Sequence, residues 1–277
     1  MPNLILHAGG KAATIAEIAA VPLPEKTRTY TPVGHDVFVE HVKAQLPGFG
    51  FHVLTEEYGL AREGNQFFGV MRLGNGGSSA DWALALGLRN SYDRSFALHM
   101  IGGSDVFVCD NRAFHGEIRA REIHSGNVFG RLPKIIADLI ARAATMKGEI
   151  QRDFDLMKEA PLTDPQAHDL MVMAVRRGAI AGSTIQKVVD EWDEPGSGLV
   201  ADEDDAAAVI ALEQRRAEIA KAFADRNAWR LYNAFTAVAK QKSLGAQMAD
   251  TLRLTALFRE RFTLPRITQA EVIENLN

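Results

Sequence analysis

Hydrophobic and polar positions follow two different periods along this chain. In "HDVFVEHVKAQL", residues 35–46, Val37, Phe38, His41, Val42 and Leu46 fall on one helical face, and Pro47–Gly50 ends the run. Ahead of it, "AATIAEIAA" predicts a short helix, and the prolines at 22, 24 and 32 predict an extended segment. From Phe51 the apolar period shortens. "FHVLTEEYGLAREGNQFFGVMRLG" predicts two strands with Glu63-Gly64-Asn65 at the hairpin tip. "ADWALALGLRNS", "SFALHMI" and "DVFVC" predict three more, the last two divided by Gly102-Gly103. Connections this short predict antiparallel pairing, because parallel strands need crossovers of about a dozen residues.

After Gly130 the spacing becomes helical. Apolar residues at 132, 135, 136, 139, 140 and 143 share one face, and Pro133 suits a first turn. A break at "APLTDP" leads to a helix expected to bury Leu170, Met173 and Ala174. The next, from "GSTIQKVVDEWDEPGSG", places Ser183 and Gln186 at capping-box spacing and stops at Pro195-Gly196. "DEPGSGLVADEDD" reads as a solvated loop that ends in an acidic helix N-terminus. Helices continue to about residue 261, with Trp229, Tyr232 and Phe235 on a core-facing stripe. The predicted fold class is α+β: an antiparallel β-sheet in the N-terminal half, residues 1–130, covered by helices. Residues 131–277 form the helical half, packed on the sheet as one compact unit.

Composition narrows the setting. A chain of 277 residues with 47% hydrophobic and 24% charged residues can bury a full core. No apolar run approaches a bilayer span, Met1–Gly10 lacks the features of a secretory signal, and Cys109 is the single cysteine. A soluble, cytoplasmic protein without an internal disulfide or membrane partner is expected. The net charge of −4 opposes a globally basic nucleic-acid binder and leaves room for a local basic groove.

The chemistry-bearing residues concentrate in "GLRNSYDRSFALHMIGGSDVFVCDNRAFHG", residues 87–116. His99, Asp105, Asp110, His115 and His124 lack the spacing of any familiar metal motif, so neither a metal nor another cofactor is expected. Cys109 at a strand end reads as a small hydrophobe, and "GNGGSSAD" lacks the Gly-Lys-Ser/Thr of a phosphate loop. Asn90, Asp93, Asp110 and Asn111 suit turns that bond their own backbone, or a polar cluster with Arg89 and His115 facing a ligand or subunit. Arg112, Arg119, Arg121, Arg131 and Lys134, interleaved with Phe114, His124 and Phe129, suit phosphates and unpaired bases; Glu117 and Glu122 dilute that patch.

The segments "VPLPEKTRTYTPVGHDVFVEHV", "EEYGLAREGNQFFGVMRL", "LGLRNSYDRSFALHMIGGSDVFVCDNRAFHGE", "HSGNV" and "WRLYNAFTAVAK" together resemble a family of phage- and plasmid-associated proteins known as a domain of unknown function. The resemblance covers about residues 20–240, with Tyr92 where His is commoner and Ser125 where Thr is frequent. It implies a mobile-element context and brings no catalytic residues. The order of hairpins then helices also resembles ring-forming single-strand annealing proteins at fold level, which implies a basic groove and oligomers. The leading expectation is a non-enzymatic protein that binds single-stranded DNA as a homo-oligomer, with Arg89, Arg94, Arg112, Arg119 and Arg121 on phosphates. The alternatives are an acidic anti-defence protein that blocks a host protein, and an enzyme centred on Asn90, Asp93, Cys109, Asp110 and His115.

Overall fold

A six-stranded antiparallel sheet with strictly sequential strand order organises the N-terminal half. The computed structural model describes residues 10–74, 82–106, 111–202, 205–242 and 244–262. Strands β1 (Lys11–Ala13), β2 (His52–Ala61), β3 (Gln66–Gly74), β4 (Trp82–Ser91), β5 (Leu98–Val106) and β6 (Asn111–Glu122) form a meander. Helices α1 (Ile15–Ala19) and α2 (His35–Gln45) lie between β1 and β2. After β6 come α3 (Val128–Glu159), α4 (Asp164–Arg176), α5 (Ile185–Asp193), α6 (Ala206–Ala222), α7 (Ala228–Ala239) and α8 (Leu244–Phe262). The α+β class predicted from the chain is the one observed.

Packing divides the chain into two units. One holds residues up to Asp105 together with Phe114–Gly148, the other Val106–Ala113 together with Glu149 onward. In the first, β-alternation sorts side chains onto two faces. The register Phe67↔Asn90, Met71↔Leu86 and Leu73↔Leu84 puts these residues on one face, and all six are buried. Helix α2 covers that face: His35 stacks on Phe67 with ring centroids 5.3 Å apart, and Lys43 pairs with Glu56. The start of α3 is tied to β6 by the Arg131–Glu122 ion pair at 2.6 Å. Burying these apolar side chains stabilises the layer by roughly 2 kcal/mol for each large one.

Several features depart from the sequence reading. Gly102-Gly103 does not divide two strands, because β5 runs unbroken from Leu98 to Val106. A Cβ at Gly102 would strike the Ile118 side chain, so the glycine serves close strand packing rather than a break. Residues 111–122, which follow the last strand expected from the sequence, form the sixth strand of the sheet. The hairpin tip does sit at the expected place: Arg62, Glu63 and Gly64 all take positive φ, and Asn65 N–H bonds the Arg62 carbonyl at 3.0 Å. Pro133 lies inside α3, which begins at Val128, rather than in its first turn.

The second unit is built around α7, all of whose residues are buried. Trp229, Tyr232 and Phe235 pack as the stripe predicted, with Phe154 4.4 Å from Trp229 and Phe258 5.2 Å from Tyr232, centroid to centroid. Helix α4 buries Met171 beside Leu170 and Ala174, with Met173 only half-buried. No capping box forms at Ser183 and Gln186, because a short 3₁₀ turn over Gly182–Thr184 precedes α5. Gln166 makes the equivalent contact for α4, accepting from the Thr163 amide at 2.9 Å. Asp205 caps α6 as the acidic N-terminus predicts, accepting from the Ala207 and Ala208 amides.

Candidate nucleic-acid interface

On the face of the sheet opposite α2, strand pairing lines up a transverse row of aromatic and basic side chains. Phe68 on β3 stands directly across from Arg89 on β4. Arg89 Nε donates to His99 Nδ1 on β5 at 2.8 Å. Arg121, on the neighbouring strand β6, lies close enough for its charge to act on both Arg89 and His99. Phe96 closes the end of the row, 5.8 Å from Phe68 between centroids and with the Arg89 guanidinium 4.9 Å above its ring. Phe68, Arg89, Phe96 and His99 are half-buried, while Arg121 and its face-mate Arg119 are exposed.

The clustered charges act on one another. Burial, and then the charge of Arg121, lower the pKa of Arg89. Burial, followed by the charges of Arg89 and Arg121, pushes His99 down to about 4. No described carboxylate pairs with Arg89, Arg119 or Arg121. Farther along the same face, by contrast, Arg72 is held by the fully buried Asp105 through two bonds of 2.8 and 2.9 Å. Cations gathered beside half-buried aromatic rings, with no carboxylate partner among the described residues, can bind phosphates and stack bases.

The other residues singled out in the sequence go elsewhere. Asn90 follows Arg89, so alternation turns it to the covered face, where its Nδ2 donates to the Val33 carbonyl at 2.8 Å and meets His35 Nδ1 at 3.0 Å. Asp93 accepts from the Ser95 amide and hydroxyl and from Gln66 Nε2, an Asx turn that fixes the loop after β4. Ser91 adds reciprocal bonds to the Phe96 backbone. Arg94 is exposed in that loop at φ +59°, its guanidinium 4.3 Å above the Tyr30 ring. Cys109 and Asp110 lie outside the described residues. Asn111, Arg112 and His115 stand on β6, and their side chains also fall outside the description. Hence Arg89 and Arg121 join the row, Arg119 flanks it, and Asn90 and Asp93 serve packing and a turn.

Phe68, Phe96 and His99 were not among the predicted site residues. The alternation in "EIRARE" that sets Arg119 and Arg121 on one face was present in the sequence and marks a strand. Their convergence with β3 and β4 needs the register. Among the described residues no group of His, Cys, Asp or Glu could hold a metal ion, and no helix is long and apolar enough to cross a membrane. In the second unit a small cleft lies beside Glu191, Arg230 and Asn233. Its charged walls are occupied internally: Glu191 accepts from the Gly196 and Gly198 amides, and Arg230 donates to the Trp192 and Phe223 carbonyls.

No curated protein and no solved structure matches the chain. A family model described as a domain of unknown function, DUF932, matches residues 22–260, and on that match the chain belongs to this family.

Proposed function

We propose that this protein binds single-stranded nucleic acid at the rim of the sheet face opposite α2, as a non-enzymatic DNA-handling protein. One observation carries the reading: the row Phe68–Arg89–His99–Arg121 across four adjacent strands, flanked by Phe96 and Arg119 and without a described carboxylate partner. Guanidinium groups track a phosphate backbone, and the aromatic pair supplies a stacking surface indifferent to base identity. A negative net charge is compatible, because the local field decides where a strand docks. The resemblance to phage- and plasmid-associated proteins supports a place in the DNA transactions of a mobile element, where the protein acts as an oligomer.

The test is fluorescence anisotropy with a labelled oligothymidylate over a salt series. Wild type binds at low salt and loses affinity steeply as salt rises. Arg121→Ala and Arg119→Ala each flatten the log–log salt slope by about 0.7, the value for one phosphate contact on a single strand. Lys221→Ala, exposed at the end of α6, leaves it unchanged. Absence of low-salt binding, or binding indifferent to Arg119 and Arg121, overturns the proposal.

A further inference from the structure

We infer that His99 contacts the nucleic-acid backbone as a neutral hydrogen-bond donor, its Nε2–H aimed at a phosphate oxygen between Arg89 and Arg121. The inference rests on the binding reading above and assigns the chemistry of one contact within it. An arginine Nε can only donate, so the 2.8 Å bond from Arg89 to His99 Nδ1 requires a lone pair on that nitrogen. The proton of the neutral ring must then sit on Nε2. Arg89 on β4 and Arg121 on β6 are the charged groups that act on the ring from the neighbouring strands, and both oppose a second proton. Burial acts in the same direction. The row therefore presents donors only: guanidinium N–H groups at both ends and an imidazole N–H in the middle. Such a set suits an anionic oxygen and offers nothing to a base edge that must itself donate.

Arg89 thus has two tasks. It supplies charge, and it fixes the tautomer of its neighbour, as a carboxylate or carbonyl does for histidines elsewhere but with the opposite hydrogen-bond sense. A neutral donor adds affinity without displacing a counterion, which separates its signature from that of the arginines.

The experiment compares wild type, His99→Leu, His99→Gln and Arg121→Ala by anisotropy with oligothymidylate across salt and pH. His99→Leu binds about tenfold more weakly, the scale of one hydrogen bond to a charged group, with the salt slope of wild type. His99→Gln, whose amide N–H can occupy the Nε2 position, recovers most of that loss. Wild-type affinity does not rise between pH 8 and 6 through this residue. Nitrogen-15 NMR of the labelled imidazole in the unaltered protein, with and without the oligomer, shows the Nε2–H tautomer in both states at pH 6. This measurement decides the matter even if a variant folds poorly. An imidazolium or an Nδ1–H ring in the complex, or a reduced salt slope in His99→Leu, overturns the inference. So does wild-type affinity in His99→Leu when Arg121→Ala weakens binding, an outcome that leaves the binding reading standing. Indifference to both substitutions removes the binding reading itself.

Discussion

Acidification should destabilise the first unit through one buried imidazole, His35. Its side chain is fully buried, stacked 3.8 Å from the Tyr92 ring at an interplanar angle of 7°. Nε2 lies 3.0 Å from the Gly64 carbonyl and Nδ1 3.0 Å from the Asn90 amide nitrogen, so the ring donates at Nε2 and accepts at Nδ1. A second proton would have to enter at Nδ1, against an N–H donor and without water. Burial dominates the resulting shift of its pKa down to about 4, with the Gly64 bond and Asp36 opposing it and His124 adding to it. The sign follows directly. The unfolded ring takes up its proton near pH 6.5 and the folded ring only near 4, so stability is intact above 6.5 and falls as the pH descends between them. At pH 5 the unfolded state holds about 0.9 proton more at this site, and the loss relative to pH 7 is about 2 kcal/mol. Urea denaturation of wild type and His35→Gln at pH 7, 6 and 5 measures it. The variant is less stable at pH 7, and the gap narrows by about 2 kcal/mol by pH 5, while the titrations of His99 and His124 cancel between the two proteins. Parallel stability curves would refute the reasoning.

Three further outcomes can be checked by denaturation. Asp105→Ala leaves the Arg72 guanidinium facing an empty buried site and costs about 3–5 kcal/mol, most of which the double change Arg72→Met with Asp105→Leu restores. Gly102→Ala drives a Cβ into Ile118 and costs about 1–3 kcal/mol, with partial recovery in the pair Gly102→Ala, Ile118→Val. Glu191→Ala releases the buried Gly196 amide and its neighbour Gly198, costing about 1–3 kcal/mol without changing oligothymidylate affinity.

Much of the architecture is already local in the chain. Alternating residues in β2, β3 and β4, the Glu63-Gly64-Asn65 tip and the i, i+3 stripe of α7 are each decided by the geometry of a single element, so reading the residues in order suffices. The Asx turn at Asp93 is equally local, since the side chain bonds a backbone amide two residues on. Tertiary structure decided what adjacency cannot encode. A Gly-Gly pair breaks or continues a strand according to what lies opposite, and here Ile118 takes the space above Gly102. Strand β6 is announced only by the short alternation around Arg119 and Arg121, and its place at the edge of β5 is set by tertiary pairing. The candidate site follows the same rule. Arg89 and Asn90 are neighbours in sequence and stand on opposite faces, while Phe68, His99 and Arg121, far apart in the chain, meet because strand register brings them into one row.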